Sequence, residues 1–543
     1  MKNVNLWDKY CRFYEKDFTE QLEFNRNRLK SYFSAWKKTD LVKELCQTIP
    51  EQHKDVPITT YSSYPMLSEF GRKITQTSET SPRKQGELFK TYYDHVSREI
   101  GSSLNHFMVE PYYMCAKTTG TTGQYKWIVN GETFWKNFQQ ASIATAVIAC
   151  SESWGETSLK HGDKSQNLNA AVPLISGWGA WATKDILSLV PPIEIADNLR
   201  DMKEKFSLIL KLIQKGEKIL VAGGIGSIFF MICKYFQKPE DFYREYYKSM
   251  NMDLKKLLLY LKILSIKLGQ KKKIRITEVM PLKGVLVAGV EGRLYLDFFR
   301  EEFNLSPLHI YGSTEAGPLM RGDPDRKEDL VPELRTSYLE FLTEDGEIRE
   351  LDEVKKGEVY ELVVTPFGSL IYRYNMEDLL RVIDFRDDGM PIFTFESRKK
   401  TILELYSRYR ITPNIIVQAL SKAGLRASDK WAVAKPLKPK EHLHFLMEKE
   451  WPYSEVEAEK IIFNYLQETY RTIPHGGDVL SDYIAHYKIK DPSEVVKVEY
   501  LKPGAFTRYS MKKAKEGAPM GQYKPPQIIT ADKMDVFDTL RKI

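Results

Sequence analysis

The sequence contains few cysteines, and it places them in no pattern that builds a disulfide framework or a zinc site. Its five cysteines are odd in number, and none of them forms a C-x-x-C pair. We therefore expect free thiols in a reducing compartment. The nine histidines are scattered, and the nearest two, His442 and His444, lack further ligands at metal-binding spacing. A structural metal site is not expected.

Long apolar segments are also missing. The longest apolar stretch runs from Leu220 to Cys233 and is broken by glycines, so it is too short to cross a bilayer. The N-terminal residues are polar and aromatic and lack the apolar core of a secretory signal. These features predict a cytoplasmic protein that does not act in a membrane.

The chain has no large excess of one charge. Its formal net charge is +7 over 543 residues, with acidic and basic residues interspersed. The compact basic run Lys271-Lys272-Lys273 has no patterned aromatic residues around it, and we interpret it as a solvated loop. Nucleic acid is therefore not an expected partner.

The length and the hydrophobic pattern predict an α/β protein with more than one folding unit. A chain of 543 residues exceeds the size of a single core. The segment before Tyr112 has apolar positions at helical spacing, whereas the segment after it alternates short strands with amphipathic helices. Examples are a strand over Glu358–Thr365 and a helix that begins after Asn130 as its N-cap. Mixed or parallel sheets follow from this alternation.

A smaller α+β unit is predicted to begin near Arg398. Strand-like segments follow at Trp431–Lys435 and His442–Met447. A capping box of Ser454 and Glu457 then opens an amphipathic helix. We therefore predict a large N-terminal domain over residues 1–398 and a smaller C-terminal domain over residues 399–543.

A segment rich in threonine and glycine carries the clearest chemical signal. It reads Thr118-Thr119-Gly120-Thr121-Thr122-Gly123-Gln124-Tyr125-Lys126. The glycines permit close backbone approach, the hydroxyls and backbone N–H groups can surround anionic oxygens, and the lysine adds positive charge. This composition favours a loop that holds phosphates. A polar hairpin turn between strands over Tyr112–Ala116 and Lys126–Val129 is the alternative interpretation.

Two better-known nucleotide motifs do not fit. A P-loop has the pattern G-x-x-x-x-G-K-[ST] and runs into a helix, whereas Lys126 follows Gly123 by three positions and leads into β-like residues. The segment from Gly223 to Phe229 resembles a dinucleotide-binding fingerprint. However, Phe229 stands where the third glycine belongs, and it is expected to pack in the core. Neither a P-loop NTPase nor a Rossmann dehydrogenase is supported.

The threonine-rich segment resembles the phosphate-binding signature of the adenylate-forming superfamily. Its one departure is Tyr125, where proline or an aliphatic residue is usual. Two further segments resemble motifs of that superfamily in the same order: Tyr311-Gly312-Ser313-Thr314-Glu315 and Tyr372-Arg373-Tyr374-Asn375-Met376-Glu377-Asp378. The C-terminal segments Lys502-Pro503-Gly504-Ala505-Phe506 and Gln522-Tyr523-Lys524-Pro525-Pro526 resemble the ending of the auxin-responsive Gretchen Hagen family of acyl-acid amido synthetases.

This resemblance implies a fold and an activity. The fold is a large N-terminal α/β adenylate-forming domain with a smaller, mobile C-terminal α+β domain. The activity is that of an ATP- and Mg²⁺-dependent ligase, which converts a carboxylic acid to an acyl-adenylate and transfers the acyl group to an amine, expected to be an amino acid. An acyl- or aryl-CoA ligase and a catalytically weak adenylate-binding protein remain alternatives, and a monomer is expected.

The resemblance also implies roles for individual residues. The expected ligands of the ATP phosphates are Thr118, Thr119, Gly120, Thr121, Thr122, Gly123 and Lys126. The expected adenine pocket comprises Gly289, Tyr311, Gly312, Ser313 and Thr314. Glu315 is expected to bind Mg²⁺, Asp378 the ribose, and Arg398 the ribose or a phosphate.

Lys524 is the expected catalytic residue. Adenylation brings a carboxylate against the α-phosphate, and an ammonium group between these two anions offsets their repulsion. Because Lys524 belongs to the smaller domain, that domain is expected to close over the ATP site. Besides Tyr125, three further places depart from the family pattern. Glu377 replaces a glycine, and Pro413 replaces a glutamate. The segment Glu396-Ser397-Arg398-Lys399 stands where the family has a glycine–arginine pair at the hinge.

The acid substrate cannot be read from the sequence. The aromatic stretch Ser176–Trp181 and the segment Ala222–Phe230 are candidates for an apolar acyl pocket. Core packing is the favoured interpretation of the aromatic residues in both stretches.

Overall fold

The computed structural model describes most of the 543 residues. The described residues are 5–118, 125–199, 202–214, 217–225, 229, 232–233, 261, 264–265, 268–269, 276–288, 296, 299–300, 304, 306–405, 409–425, 430–436, 441–448, 451–472, 484, 488–515 and 527–543. They divide into two compact units. Unit 1 holds the described residues up to 376 together with 381–394, and unit 2 holds 377–380 and 395–543.

Unit 1 combines helices with three sheets. Its helices are α1 (Leu6–Tyr10), α2 (Phe18–Trp36), α3 (Leu41–Leu45), α4 (Pro65–Thr80), α5 (Phe89–Ser102), α6 (Glu132–Ala149), α7 (Ile175–Thr183), α8 (Ile193–Ala196), α9 (Met202–Gln214) and α10 (Ile276–Val279). Its strands are β1 (Tyr112–Lys117), β2 (Trp127–Gly131), β3 (Lys164–Gln166), β4 (Ser188–Val190), β5 (Val221–Ile225), β6 (Gly284–Ala288), β7 (Leu308–Ser313), β8 (Gly317–Arg321), β9 (Val331–Pro332), β10 (Ser337–Leu342), β11 (Ile348–Arg349) and β12 (Val359–Pro366). Strands β13 (Tyr374–Phe385) and β14 (Pro391–Arg398) contain residues of both units.

The helical N-terminal region follows from its sequence pattern. Helix α2 begins after Asp17, whose side chain accepts a hydrogen bond from the Glu20 N–H at 2.8 Å. It buries Leu22, Leu29 and Trp36 among other residues at helical spacing. The helices predicted before Tyr112 are therefore confirmed.

The largest sheet has the order β4-β3-β5-β6-β7-β8-β9. Strands β3 to β7 are parallel, and β8 and β9 continue the sheet in antiparallel pairing. Ala288, the last residue of β6, pairs with Ile310 of β7, so both strands end at the same edge. In open α/β sheets, ligands bind outside this carboxyl edge.

Strands β1 and β2 form an antiparallel hairpin, as the hairpin interpretation predicted. Cys115 pairs with Val129, and Lys117 pairs with Trp127. The predicted N-cap of the following helix was wrong, because Asn130 lies within β2 and Gly131 is the N-cap of α6. The carboxylate of Glu110 takes over this function: Thr133 donates to it from its backbone N–H and from its hydroxyl, each at 2.8 Å.

A five-stranded sheet has the order β11-β10-β12-β13-β14, and β12 confirms the predicted strand over Glu358–Thr365. Arg373, just before β13, is buried and donates two hydrogen bonds to the Glu340 carboxylate of β10, at 3.0 Å from Nε and 2.8 Å from Nη2. The Glu340 carboxylate also contacts His53 Nε2 at 2.9 Å, and His53 Nδ1 lies 2.8 Å from the Tyr372 hydroxyl. The Arg373 Nη1 donates to the backbone carbonyls of Lys54 and Val56. We call these side chains the Arg373–Glu340 network.

Unit 2 is an α+β unit with helices on both faces of a mixed sheet. Its helices are α11 (Pro413–Lys422), α12 (Glu455–Thr472), α13 (Ala505–Lys515) and α14 (Met534–Lys542). Its strands are β15 (Leu403–Leu405), β16 (Tyr409–Ile411), β17 (Trp431–Ala434), β18 (Leu443–Glu448), β19 (Val496–Leu501) and β20 (Ile528–Ile529). The four-stranded order is β19-β18-β17-β20.

Alternation along β17 separates the two cores of unit 2. Trp431 and Val433 face the core that contains α11 and α12, whereas Ala432 and Ala434 face the core that contains α13 and α14. The predicted capping box is confirmed, since the Glu457 carboxylate accepts hydrogen bonds from the N–H and hydroxyl of Ser454 at 2.8 and 2.7 Å.

The Arg373–Glu340 network generates a stability prediction. We expect Glu340→Gln to lower the free energy of unfolding by about 3–5 kcal/mol, because the substitution leaves the Arg373 guanidinium buried without its counter-charge. Urea unfolding followed by circular dichroism measures this loss. Glu347→Gln is the matched control: this exposed glutamate pairs with Arg349 at the surface, and its loss should cost about 0.5 kcal/mol or less. Equal effects of the two substitutions would contradict the assignment.

The same network predicts a dependence on pH. Burial raises the pKa of Glu340, but the hydrogen bond and charge of His53 and the charge of Arg373 outweigh it, so the pKa lies below its usual value of 4.5. A carboxylate with a lowered pKa stabilises the fold at neutral pH, and this contribution disappears as the pH falls through the lowered pKa. The unfolding free energy of the wild type should therefore fall more steeply below about pH 4.5 than that of Glu340→Gln. Parallel pH profiles would exclude this role.

Candidate active site

The base of the threonine-rich loop is closed by two hydrogen bonds between its ends. The Thr118 N–H donates to the Lys126 carbonyl at 2.9 Å, and the Lys126 N–H donates to the Thr118 hydroxyl at 2.9 Å. These bonds extend the β1–β2 hairpin by one residue pair. Residues Thr119 to Gln124, including the predicted ligands Thr119, Gly120, Thr121, Thr122 and Gly123, lie outside the described residues.

The side chain of Lys126 is oriented by two tyrosines. Its Nζ donates to the Tyr374 hydroxyl at 3.2 Å and lies 5.6 Å from the ring centroid of Tyr61. The Tyr61 hydroxyl in turn accepts a hydrogen bond from the Trp127 N–H at 3.0 Å. The lysine that the sequence predicts for phosphate binding is thereby held at a defined position at the base of the loop.

The Arg373–Glu340 network positions Tyr374. Arg373, its neighbour in the chain, has a positive φ of 43°. The segment at Thr59 pairs with this stretch: the Thr59 N–H donates to the Arg373 carbonyl, and the Asn375 N–H donates to the Thr59 carbonyl, each at 2.9 Å. Arg373 is therefore a structural residue, and Tyr374, which follows it, contacts Lys126.

The second predicted motif forms the turn at the carboxyl end of β7. Tyr311, Gly312 and Ser313 end that strand, and Ser313 accepts a hydrogen bond from the Ala316 N–H at 3.1 Å, which closes the turn that carries Thr314 and Glu315. A side chain at Gly312 would meet the Gly317 carbonyl at 2.7 Å, so only glycine fits there. Gly289, which follows β6 at the same edge, lies outside the described residues.

Glu315 belongs to the same part of unit 1 as the loop base. Its side chain is largely buried, with 9% of its surface exposed. Burial raises the pKa of Tyr61, and the negative charge of Glu315 raises it further. The ring of Tyr61 lies beside the Lys126 ammonium, and the pKa of its hydroxyl responds to the charge of Glu315. Sequence reasoning missed Tyr61, since it belongs to an ordinary 3₁₀ turn, Tyr61–Ser63, far from any motif.

Asp378 and Arg398 are brought together in unit 2. Asp378 is 1% exposed, and its Oδ1 lies 3.0 Å from the Arg398 Nε, whereas half of the Arg398 side chain is exposed. Asp378 was predicted to bind the nucleotide ribose, and Arg398 the ribose or a phosphate. The pair joins β13 to β14 within this unit and presents one guanidinium group to solvent.

The departures from the family pattern have local explanations. Glu377 has a φ of 57°, a conformation that glycine adopts without strain, so the backbone has kept the shape expected of the usual glycine. Pro413 occupies the first position of α11, where its missing N–H costs nothing. Thr412 caps that helix and donates to the Glu396 carboxylate at 3.0 Å.

Lys524 lies outside the described residues. The elements before and after it are α13 and β20. The N-terminus of α13, part of the Lys502–Phe506 motif, is held by the buried Glu448, whose carboxylate accepts hydrogen bonds from the Gly504 and Phe506 N–H groups at 2.8 and 2.9 Å. Strand β20 pairs with β17.

One aromatic residue from each stretch proposed for an acyl pocket lies in the core. Trp178 is buried and donates from its indole nitrogen to the Cys115 carbonyl at 2.9 Å. Phe229 is buried, with its ring centroid 5.3 Å from that of Phe299. Core packing is confirmed for both aromatic residues.

The described part of the chain contains no cluster of three or more His, Cys, Asp or Glu side chains placed to hold a metal ion. It also contains no helix with the length and apolar character needed to span a bilayer.

Comparison with solved structures identifies the class of protein that has this fold. An AtGH3.15 acyl acid amido synthetase, solved in complex with 2,4-DB, superimposes with a TM-score of 0.64 over 96% of this chain and 93% of that chain, at 16% sequence identity. At this identity the match shows the fold alone. The predicted α/β fold, with a smaller α+β unit at its C-terminus, is confirmed, and the chain shares it with that amido synthetase.

Sequence comparison shows which family the central part of the chain resembles. Residues 330–398, which contain both the Arg373–Glu340 network and the Asp378–Arg398 pair, match the GH3 family central domain. The 4-substituted benzoates-glutamate ligase GH3.12 of Arabidopsis thaliana is 27% identical over 42% of this chain and 42% of its own length. The indole-3-acetic acid-amido synthetase GH3.5 of the same plant is 44% identical over 12% of this chain and 10% of its own length. The predicted resemblance to the GH3 acyl-acid amido synthetases is confirmed, although these curated matches span less than half of each relative.

The positive φ of Glu377 generates a prediction. We expect Glu377→Gly to raise the free energy of unfolding by about 0.5–1 kcal/mol, because glycine relieves the left-handed strain of a side chain at this position. Thermal or urea unfolding measures the change. Asn375→Gly is the matched control in the same strand, at a residue without positive φ, and it should lower the stability by about 0.5–1 kcal/mol. A loss of stability in Glu377→Gly as large as that of the control would show that the strain argument is wrong.

Proposed function

We propose that this protein is an ATP-dependent acyl-acid amido synthetase. It joins a carboxylic acid to AMP with release of pyrophosphate, and it then transfers the acyl group to an amine. The observation that carries this proposal is the position of Lys126 at the closed base of the threonine-rich loop, where Tyr374 and Tyr61 hold its ammonium group. An amido synthetase fold and a GH3 central domain support the same activity.

The loop from Thr118 to Lys126 is the proposed site of the ATP phosphates. Its hydroxyls and N–H groups donate to phosphate oxygens, and the Lys126 ammonium supplies positive charge. Tyr374 and Tyr61 hold that ammonium in place before substrate arrives. Such preorganisation stabilises the charge that develops on the phosphates without a cost of reorientation during the reaction.

The residues at the carboxyl ends of β6 and β7 form the proposed adenine site. Tyr311 and the backbone of Gly312 lie at the carboxyl edge of the parallel sheet, and Gly289 follows the adjacent strand. The buried Asp378 carboxylate, whose partner is Arg398, is the proposed acceptor of hydrogen bonds from the ribose hydroxyls. The family motifs and the position of each residue within its own unit support these roles.

The donor set fits a magnesium ion. Mg²⁺ prefers oxygen ligands and commonly takes one or two carboxylates together with substrate phosphates. Glu315 supplies a largely buried carboxylate in the turn that follows β7. When bound, the ion neutralises charge on the phosphates. Glu315 holds it, and the Thr314 hydroxyl lies in the same turn.

Lys524 is the proposed catalytic residue, by resemblance of the C-terminal motif. Its ammonium would stand between the attacking carboxylate and the α-phosphate. An amino acid is the proposed acceptor, supported by the glutamate ligase and the amido synthetases among the relatives.

A cytoplasmic location stays a prediction. All five cysteines are free thiols, and four of them are buried, which supports a reducing compartment.

Pyrophosphate release from ATP and Mg²⁺ across a panel of carboxylic acids tests the proposal. We expect one or more acids to stimulate release, and Lys524→Ala to lower the stimulated rate by about 10²–10³-fold because the charge between two anions is lost. Lys512→Ala, an exposed lysine of α13, is the matched control and should leave the rate unchanged. Glu315→Gln should raise the Mg²⁺ concentration needed for half-maximal release.

The acceptor is tested with the acid that stimulates release. Offering amino acids or CoA separately should give an amide with the former and no thioester with the latter. A thioester would assign the protein to the CoA ligases. Absence of both ATP binding and acid-stimulated release would overturn the proposed function.

A further inference from the structure

A second lysine, Lys117, stands at the other end of the threonine-rich loop. It is the last residue of β1 and is partly buried. Its Nζ lies 3.7 Å from the ring centroid of Tyr125 and 5.5 Å from that of Trp127. Neither the family motifs nor the proposed function gives Lys117 a role.

Lys117 and Lys126 lie on opposite faces of the hairpin. Lys117 pairs with Trp127, so these two side chains share a face, and Tyr125 shares it because it precedes Trp127 by two residues. Lys126 pairs with Thr118 and projects to the other face, towards Tyr61 and Tyr374. Two ammonium groups therefore flank the loop base from its two sides.

The Lys117 ammonium has no counter-charge in the part of the chain that the structure describes. No carboxylate there lies within ion-pair distance, and residues 119–124 of the loop contain no acidic side chain. Burial lowers the pKa of Lys117, and no neighbouring charge raises it again. A partly desolvated cation without a partner is unfavourable, and a bound anion relieves that cost.

Tyr125 is the residue at which the loop departs from the family pattern. The face of its ring attracts the ammonium but leaves its positive charge intact. A proline or aliphatic residue at this position would not do so. The ring of Tyr125 therefore holds the ammonium group of Lys117 at the base of the loop.

We propose that Lys117 is a second phosphate-binding cation of the nucleotide site, held for that purpose by the ring of Tyr125. The inference rests on the proposed function, since it requires that the loop binds ATP. The phosphate chain carries several anionic oxygens, so a cation on each face of the loop base has an oxygen of its own to bind. Lys117 is thus a binding residue of the same site that Lys126 serves.

Calorimetric titration with ATP in the absence of acid tests the proposal. We expect Lys117→Met to weaken ATP and inorganic pyrophosphate binding by roughly 10–100-fold, the loss of one charge-assisted hydrogen bond, and to leave adenosine binding unchanged. Lys117→Arg should restore most of the affinity for ATP. Tyr125→Phe should bind ATP as the wild type does, whereas Tyr125→Leu should weaken it, because only the former keeps the ring.

Lys37→Met is the matched control. Lys37 is also partly buried, and its Nζ lies 4.8 Å from the ring centroid of Phe33, but it belongs to the end of α2 rather than to the hairpin. This variant should bind ATP normally. Circular dichroism melting of each variant reports whether it folds.

Three results would overturn the inference while leaving the proposed function intact. They are wild-type ATP affinity in Lys117→Met, an equal loss of adenosine binding in that variant, and a rise only in the KM for the acid. Failure of the wild type to bind ATP would instead overturn the proposed function, and the role of Lys117 with it.

Discussion

The buried pair of Arg373 and Glu340 is the interaction on which the site depends. An ion pair out of water is tolerated only when its hydrogen bonds are satisfied, and here the guanidinium group is bound by one carboxylate and two backbone carbonyls. The pair attaches β13 to β10 and to the segment that carries His53. Tyr374 follows Arg373 directly, so the same contacts determine where the partner of Lys126 stands.

Two elements that are remote in sequence contribute the remaining parts. The β1–β2 hairpin presents the threonine-rich loop, and the carboxyl edge of the parallel sheet presents the turn with Glu315. Tyr61 fixes the base of the loop, because its hydroxyl accepts a hydrogen bond from the Trp127 N–H and its ring lies beside the Lys126 ammonium. The negative charge of Glu315 raises the pKa of the same tyrosine.

Much of the fold was predictable from local pattern. The capping box of Ser454 and Glu457, the strands β1, β2 and β12, and the motif turn after β7 all formed where the residues indicated, since each depends on neighbours within a few positions. The N-cap at Asn130 was misassigned because the deciding carboxylate, Glu110, lies far back in the chain. The same reason explains why Tyr61 and Lys117 were missed: their surroundings come from segments that no spacing rule connects.

The sequence by itself determined the chemistry that is available: a loop of hydroxyls and glycines, a turn that carries a glutamate, and the order in which these motifs follow one another. Residue types and short spacings carry this information because they set local backbone conformation and side-chain charge. Only the tertiary structure decided which charges are paired. It placed Arg373 against Glu340, Arg398 against Asp378, and Lys117 over an aromatic ring, because burial and long-range contacts decide whether a charge is satisfied or left to bind a ligand.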